Sequence, residues 1–139
     1  MNTGNSEKFF YTEYNVSLAL FYEKALEYYH KKDFLATARM LQQTAIFTYR
    51  TLIETMGGDN DKYTHLKQIK EHLHTLLPEF KNAFPADNEQ DCVLLKQLEK
   101  IYIDTEYTSD FTITEGEILQ LLERVSELQD MAKEVLYKE

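Results

Sequence analysis

The sequence predicts an all-α protein, an up-and-down antiparallel bundle of four to five helices, and three observations carry that prediction. Apolar residues recur every three or four positions along most of the chain, the period of a helix face. Gly and Pro are scarce, four and two in 139 residues, too few for the many turns of an all-β domain. No stretch alternates apolar and polar residues at period two, and neither an internal repeat nor a low-complexity tract is present.

Residues 1–13 are expected to form a polar lead-in, and 14–137 a single domain with one core. The first helix is predicted from about Tyr14 to His30, where Tyr14, Leu18, Phe21, Tyr22, Ala25 and Tyr29 fall on one face. Lys31-Lys32 interrupts it, and Asp33 can accept from the free N–H groups of the next helix. In that second helix Phe34, Ala38, Leu41, Ala45, Tyr49, Leu52 and Met56 make one apolar stripe. Gly57-Gly58 ends it, because glycine enters the left-handed conformation at little cost.

Asp59 to Tyr63 reads as a polar loop. A shorter helix then carries Leu66, Ile69, Leu73 and Leu76 on one face and stops near Pro78. The stretch PEFKNAFPADN reads as a loop with one helical turn. Asp87 with Gln90 predicts a capping box for the fourth helix, whose stripe is Leu94, Leu98, Ile101 and Thr105. Thr114 with Glu117 predicts a second box. Ile118, Leu121, Val125, Leu128, Ala132 and Val135 follow it at alternating steps of three and four, the pattern of a helix packed in a bundle.

Composition excludes several function classes. With 43% hydrophobic and 28% charged residues the chain can bury a core and is not a disordered tail. No apolar run reaches the roughly 18 residues of a membrane span, and the opening MNTGNSEK lacks the apolar segment of a secretory signal. A lone cysteine, Cys92, forms no internal disulfide, so a reducing cytoplasm is the expected setting. A net charge of −9 argues against duplex DNA as a partner, since phosphate contacts need a basic face. The charge is uneven: Lys31 to Lys81 holds eight basic and six acidic residues, the remainder seven and eighteen. A surface that meets phosphate is therefore expected from the middle of the chain, although solvated acidic faces on the flanking helices account for the same imbalance.

The residues that carry chemistry elsewhere form no familiar constellation. His65, His72 and His74 crowd one helix, but His72 and His74 diverge, and His65 lies two turns from His72 with no cysteine or carboxylate completing a ligand set. No metal or other cofactor is expected. Cys92 falls where a helix N-terminus can lower a thiol pKa, but a semi-buried core position accounts for it as well. Asp104 and Glu106 diverge on a helix, and Glu115 and Glu117 suit the first turn of the last helix. Among ten tyrosines, Tyr102 and Tyr107, with Phe111, can stack on a base or partner side chain, or close the end of the bundle.

Four ordered stretches resemble the HEPN family of small helical domains, found beside nucleotidyltransferases in bacteria and archaea. They are FLATARMLQQTAIFTYRTLIETMGG, KYTHLKQI, IYIDTEYTSDFTIT and EGEILQLLERVSELQDMAKEV. The third resembles the Y-φ-D-A-R-Y-x-x-x-Y-x-I-T form of domains fused to a nucleotidyltransferase. The resemblance implies a homodimer that binds a nucleotide or RNA, or a partner nucleotidyltransferase. It makes Gln43, Arg50, His65, Tyr102, Asp104, Glu106 and Tyr107 the candidate ligand-binding positions, with His65 also placed to cap or brace the third helix.

Two departures bear on activity. Ribonuclease members carry an R-x(4–6)-H motif, whose arginine position is Glu106 here with no histidine after it. A carboxylate repels the phosphate that a guanidinium holds. Ile46 replaces a glutamate common in the family. No catalytic residue is assigned, and a non-catalytic binding module is the expected function. A metal-independent ribonuclease toxin with a non-standard site, such as His65 with Arg50, and a purely structural interaction bundle are the alternatives.

Overall fold

The computed structural model describes residues 20–57, 65–103 and 112–136, without the side chains of 101–103. The described residues form five α-helices, one 3-10 turn and no strand. They are α1 (20–30), α2 (Phe34–Thr55), α3 (Leu66–Leu76), α4 (Glu89–Ile103) and α5 (Glu115–Leu136), with the 3-10 turn at Pro78–Asn82 between α3 and α4. The result is an all-α bundle. The first six residues of the predicted opening helix and the loop from Asp59 to Tyr63 lie outside the described residues.

The α1–α2 connection shows how three residues reverse the chain. The Lys32 N–H donates to the Tyr29 carbonyl at 2.9 Å and the Asp33 N–H to the Tyr28 carbonyl at 2.9 Å. That double closure needs a left-handed residue at its centre, and Lys32 takes it at φ 61°. Asp33 starts the next helix at once, its Oδ1 accepting from the Ala36 N–H at 3.2 Å. At the far end of α2, Gly57 turns the chain out at φ 80°. Met56, predicted to extend the apolar stripe, instead follows the helix end and is 43% exposed.

Helix α2 is the central element and packs most extensively on α5, then on α3. Its stripe of Ala38, Leu41, Ala45, Tyr49 and Leu52 is fully buried, meeting a core that includes Ile69 and Leu73 of α3, Leu94 and Leu98 of α4, and Ile118, Leu121, Val125, Leu128 and Ala132 of α5. A second stripe of threonines is buried as well. Thr37, Thr44 and Thr48 are wholly enclosed, each hydroxyl returning to the carbonyl four residues earlier at 2.7 to 2.8 Å. Those bonds satisfy the hydroxyls within the helix, so burial leaves no donor stranded.

The stretch from Pro78 to Asn88 is the expected loop with one helical turn, but it is far more buried than a surface loop. Only its first five residues form a turn, yet Phe80, Ala83 and Phe84 are 1% exposed or less. What reads as a loop is a wall of the core. The cap of α4 also differs from the predicted Asp87–Gln90 pair. Asn88 is the cap, its Oδ1 accepting from the Asp91 N–H at 2.8 Å and its carbonyl from the Cys92 N–H at 3.0 Å. The cap of α5 is the predicted box: Thr114 Oγ1 accepts from the Glu117 N–H at 3.1 Å, and Glu117 Oε1 accepts from the Thr114 N–H at 3.0 Å.

Candidate functional site

Three long side chains from three helices fix the 80–86 segment by its main-chain carbonyls. Tyr49 of α2 donates its buried hydroxyl to the Phe84 carbonyl. Burial pushes its phenol well above the ordinary value. Lys70 of α3 donates to the carbonyls of Lys81 at 3.2 Å, Ala83 at 2.6 Å and Pro85. Arg124 of α5 donates to the Asn82 carbonyl at 2.9 Å. These carbonyls belong to irregular backbone with no ladder to join, so side chains must satisfy them.

Arg124 also clamps Asp91, the most deeply buried carboxylate described, at 1% exposure. Its Nε lies 3.0 Å from Oδ1 and its Nη2 2.8 Å from Oδ2, a bidentate arrangement. The Ala86 N–H adds a third donor to Asp91 at 2.8 Å, and Glu127 takes the outer guanidinium nitrogen. Hydrogen bonding to Asp91 raises the already high Arg124 pKa further. This arginine is a structural cation tying α4, α5 and the 80–86 segment together.

Beside that hub lies a surface groove of about 550 Å³. On α3 it takes Lys67, Lys70, Glu71 and His74, which share a face one step round from the core face of Leu66, Ile69 and Leu73. On α4 it takes Cys92, Leu95, Lys96 and Glu99, again at steps of three and four. Lys81 and 85–87 complete the lining. Lys70 spends its donors on the carbonyls beneath, and burial pushes its ammonium down to about 8, more than the charges of Asp91 and Asp87 restore. Lys67, Lys81 and Lys96 point into solvent and make no ion pair among the described residues. Cys92, weighed in the sequence as a semi-buried core residue, is exposed on this groove. Its register explains this: Asp91, Leu94 and Leu98 take the inward face of α4, and Cys92 falls beyond it.

The candidate positions read from the sequence scatter. Gln43 is exposed on α2, while its neighbour Gln42 is buried and donates to the Leu98 carbonyl at 3.1 Å. Arg50 is half-buried two turns further along α2. His65 stands at the N-cap position of α3, but its side chain makes no capping bond. With Gln42, Ile46, Leu95 and Glu99 it lines a crevice of about 10 Å³, room for one water. Tyr102 lies in the last turn of α4, its side chain undescribed, and Asp104, Glu106 and Tyr107 lie outside the described residues. Among the described residues, no group of three His, Cys, Asp or Glu is placed to hold a metal ion, and no helix is long and apolar enough to cross a membrane.

Sequence reasoning weighed His74 and Cys92 singly but did not bring the groove residues together, because they come from three elements with no linear motif. The charge balance of Lys31 to Lys81 was the one signal, and it contains Lys67, Lys70 and Lys81. No curated protein and no solved structure matches the chain. The HEPN domain family matches residues 19–135, which takes in α1 to α4, all of α5 but its last residue, the hub and the whole groove. A match of that extent, on a bundle of this architecture, makes the chain a member of the HEPN domain family.

Proposed function

We propose that the protein is a non-catalytic HEPN module that binds a phosphate-bearing ligand, a nucleotide or an RNA. Family membership supports a nucleotide- or RNA-related role. The observation that carries the non-catalytic half is the charge inversion at the position of the family's ribonuclease arginine. Glu106 stands there, and no histidine follows it anywhere in the chain. Nor does a histidine lie five to seven residues after Arg39, Arg50 or Arg124. Arg124 is further committed to buried Asp91, so it has no freedom to approach a scissile phosphate. The resemblance adds a homodimer, and a nucleotidyltransferase as the alternative partner.

Two measurements test this reading. Single-stranded RNA incubated with the protein in EDTA is expected to stay intact, and cleavage that disappears in His65→Ala overturns the non-catalytic assignment. A ligand that binds only the folded state must raise the melting temperature. A panel of nucleotides and short RNAs is expected to contain at least one stabilising ligand, and flat curves throughout would leave a purely structural interaction module.

A further inference from the structure

We infer that Lys70 is a site of acylation by small acyl phosphates, and that its modification releases the 80–86 segment from α3. The inference stands apart from the binding role proposed above, since neither needs the other.

Access gives the first argument. Three side chains hold the segment by its carbonyls, and solvent reaches them unequally. Tyr49 is fully buried. Arg124 is locked on Asp91, and a guanidinium stays protonated and is no nucleophile. Lys70 is half-exposed and lines the groove between α3 and α4. It is the one amine of the three and the one hold open to a reagent, and a groove of about 550 Å³ admits a small acyl donor.

Donor count gives the second. Lys70 serves three carbonyls, those of Lys81, Ala83 and Pro85. An ammonium brings three N–H groups and a neutral amine two, but a secondary amide brings one. Acylation therefore leaves two of the three carbonyls without their donor. Ala83 and Pro85 belong to a buried stretch of chain, where an unpaired carbonyl costs stability. The acyl group also needs space that the carbonyls now take, so the side chain swings out into the groove and its hold is lost.

Reactivity gives the third. The Lys70 lone pair attacks the acyl carbon, an N–C bond forms, and the C–O bond to phosphate breaks. Inorganic phosphate leaves with that electron pair and takes up the proton that the nitrogen releases. Burial holds the Lys70 ammonium at about 8 against the ordinary 10.5, so at pH 7 its free-amine fraction is about 300-fold that of an unperturbed lysine. Lys67, Lys81 and Lys96 line the same hollow and balance Glu71, Asp87 and Glu99 in charge. An anionic donor thus meets no net repulsion there, in a chain that carries −9, and the three ammonium groups can donate to its phosphate.

Two measurements test the inference. Wild type is incubated at pH 7 with acetyl phosphate or with acetyl-coenzyme A, and the acetylation rate of each lysine is read by peptide mass spectrometry. Lys32 and Lys100, exposed and in no ion pair among the described residues, are the references. With acetyl phosphate, Lys70 is expected to react at least tenfold faster than either. Release is read by hydrogen exchange in wild type, in Lys70→acetyl-lysine and in Lys70→Met, which has no donor at all. The Ala83 N–H donates to the Phe80 carbonyl at 3.0 Å and the Ala86 N–H to Asp91 at 2.8 Å, so a peptide covering 78–88 reports on the held state.

Exchange in that peptide is expected to rise at least tenfold in both variants, with α2 and α5 peptides unchanged. If Lys70 reacts no faster than Lys32 and Lys100, the acylation site falls. If only acetyl-coenzyme A modifies it, the donor class falls. If 78–88 exchanges as in wild type when position 70 is acetylated, or if exchange rises equally along the whole chain, the release falls.

Discussion

Replacing Arg124 by methionine keeps much of the side chain's length and removes its charge, leaving the Asp91 carboxyl without its counter-charge at 1% exposure. Of the Asp91 donors, only the Ala86 N–H at 2.8 Å would remain, and the Asn82 carbonyl would lose its donor too. Breaking a buried pair from one side costs about 3–5 kcal/mol. Arg124 is 19% exposed and water can replace part of what it gives, so the expected loss is about 3 kcal/mol. For a domain of this size, with a urea slope of about 1.5–2 kcal/mol/M, the midpoint should fall by roughly 1.5–2 M. Circular dichroism at pH 7 and 25 °C reads that shift. Adding Asp91→Leu removes the stranded carboxyl and should restore at least half of the loss, giving a coupling energy above about 1.5 kcal/mol. A single-variant loss below about 1 kcal/mol, or a double variant equal to the sum of the singles, would refute a desolvated, mutually dependent pair.

Three further outcomes are expected. Tyr49→Phe strands the buried Phe84 carbonyl and should cost about 1–3 kcal/mol at pH 7 by urea unfolding. Because the folded phenol is held above its ordinary 10.0, its stability contribution is intact below pH 10.0 and is lost as pH rises further, so the variant should lose less stability than wild type above that pH. For Lys70 the direction is opposite. Its ammonium titrates at about 8 when folded and at the ordinary 10.5 when unfolded. The unfolded chain therefore holds more protons between those values, and stability rises with pH across the window. Solvent exposure limits the gain over Lys70→Met to about 1 kcal/mol, and a fall across the window would contradict the folded-state burial. At the α4 start, Asn88→Ala should cost about 1 kcal/mol and Asp87→Ala within about 0.5 kcal/mol of nothing, the reverse order being the mark of the cap read from sequence spacing.

The helices and two of the three caps named from sequence were legible because each is a local property. Asp33 and Thr114 reach N–H groups three residues away, and the α2 and α5 stripes need only a 3.6-residue period to be seen. The 78–86 segment was not legible, since Phe80 and Phe84 have no periodic company and the donors to its carbonyls come from Tyr49, Lys70 and Arg124. The threonine stripe of α2 was invisible for another reason: its hydroxyls look polar in a sequence and are silenced only by bonds within the helix. At the α4 cap, Asp87 and Asn88 are both good capping residues. The demand of Arg124 for Asp91 selects the register that turns Asp91 inward. The groove shares this non-local origin, and only its excess of lysine left a trace in the charge profile.

The way the 80–86 segment is held separates its path from its spelling. Every residue has a carbonyl, so Tyr49, Lys70 and Arg124 grip positions 81 to 85 without reading which side chains stand there. Substitution at Lys81, whose side chain is exposed, leaves the grip on its carbonyl intact. One wall of the groove can therefore exchange its outward chemistry while its geometry is kept. A scaffold of this kind lets the surface chemistry of the groove change without the fold being renegotiated.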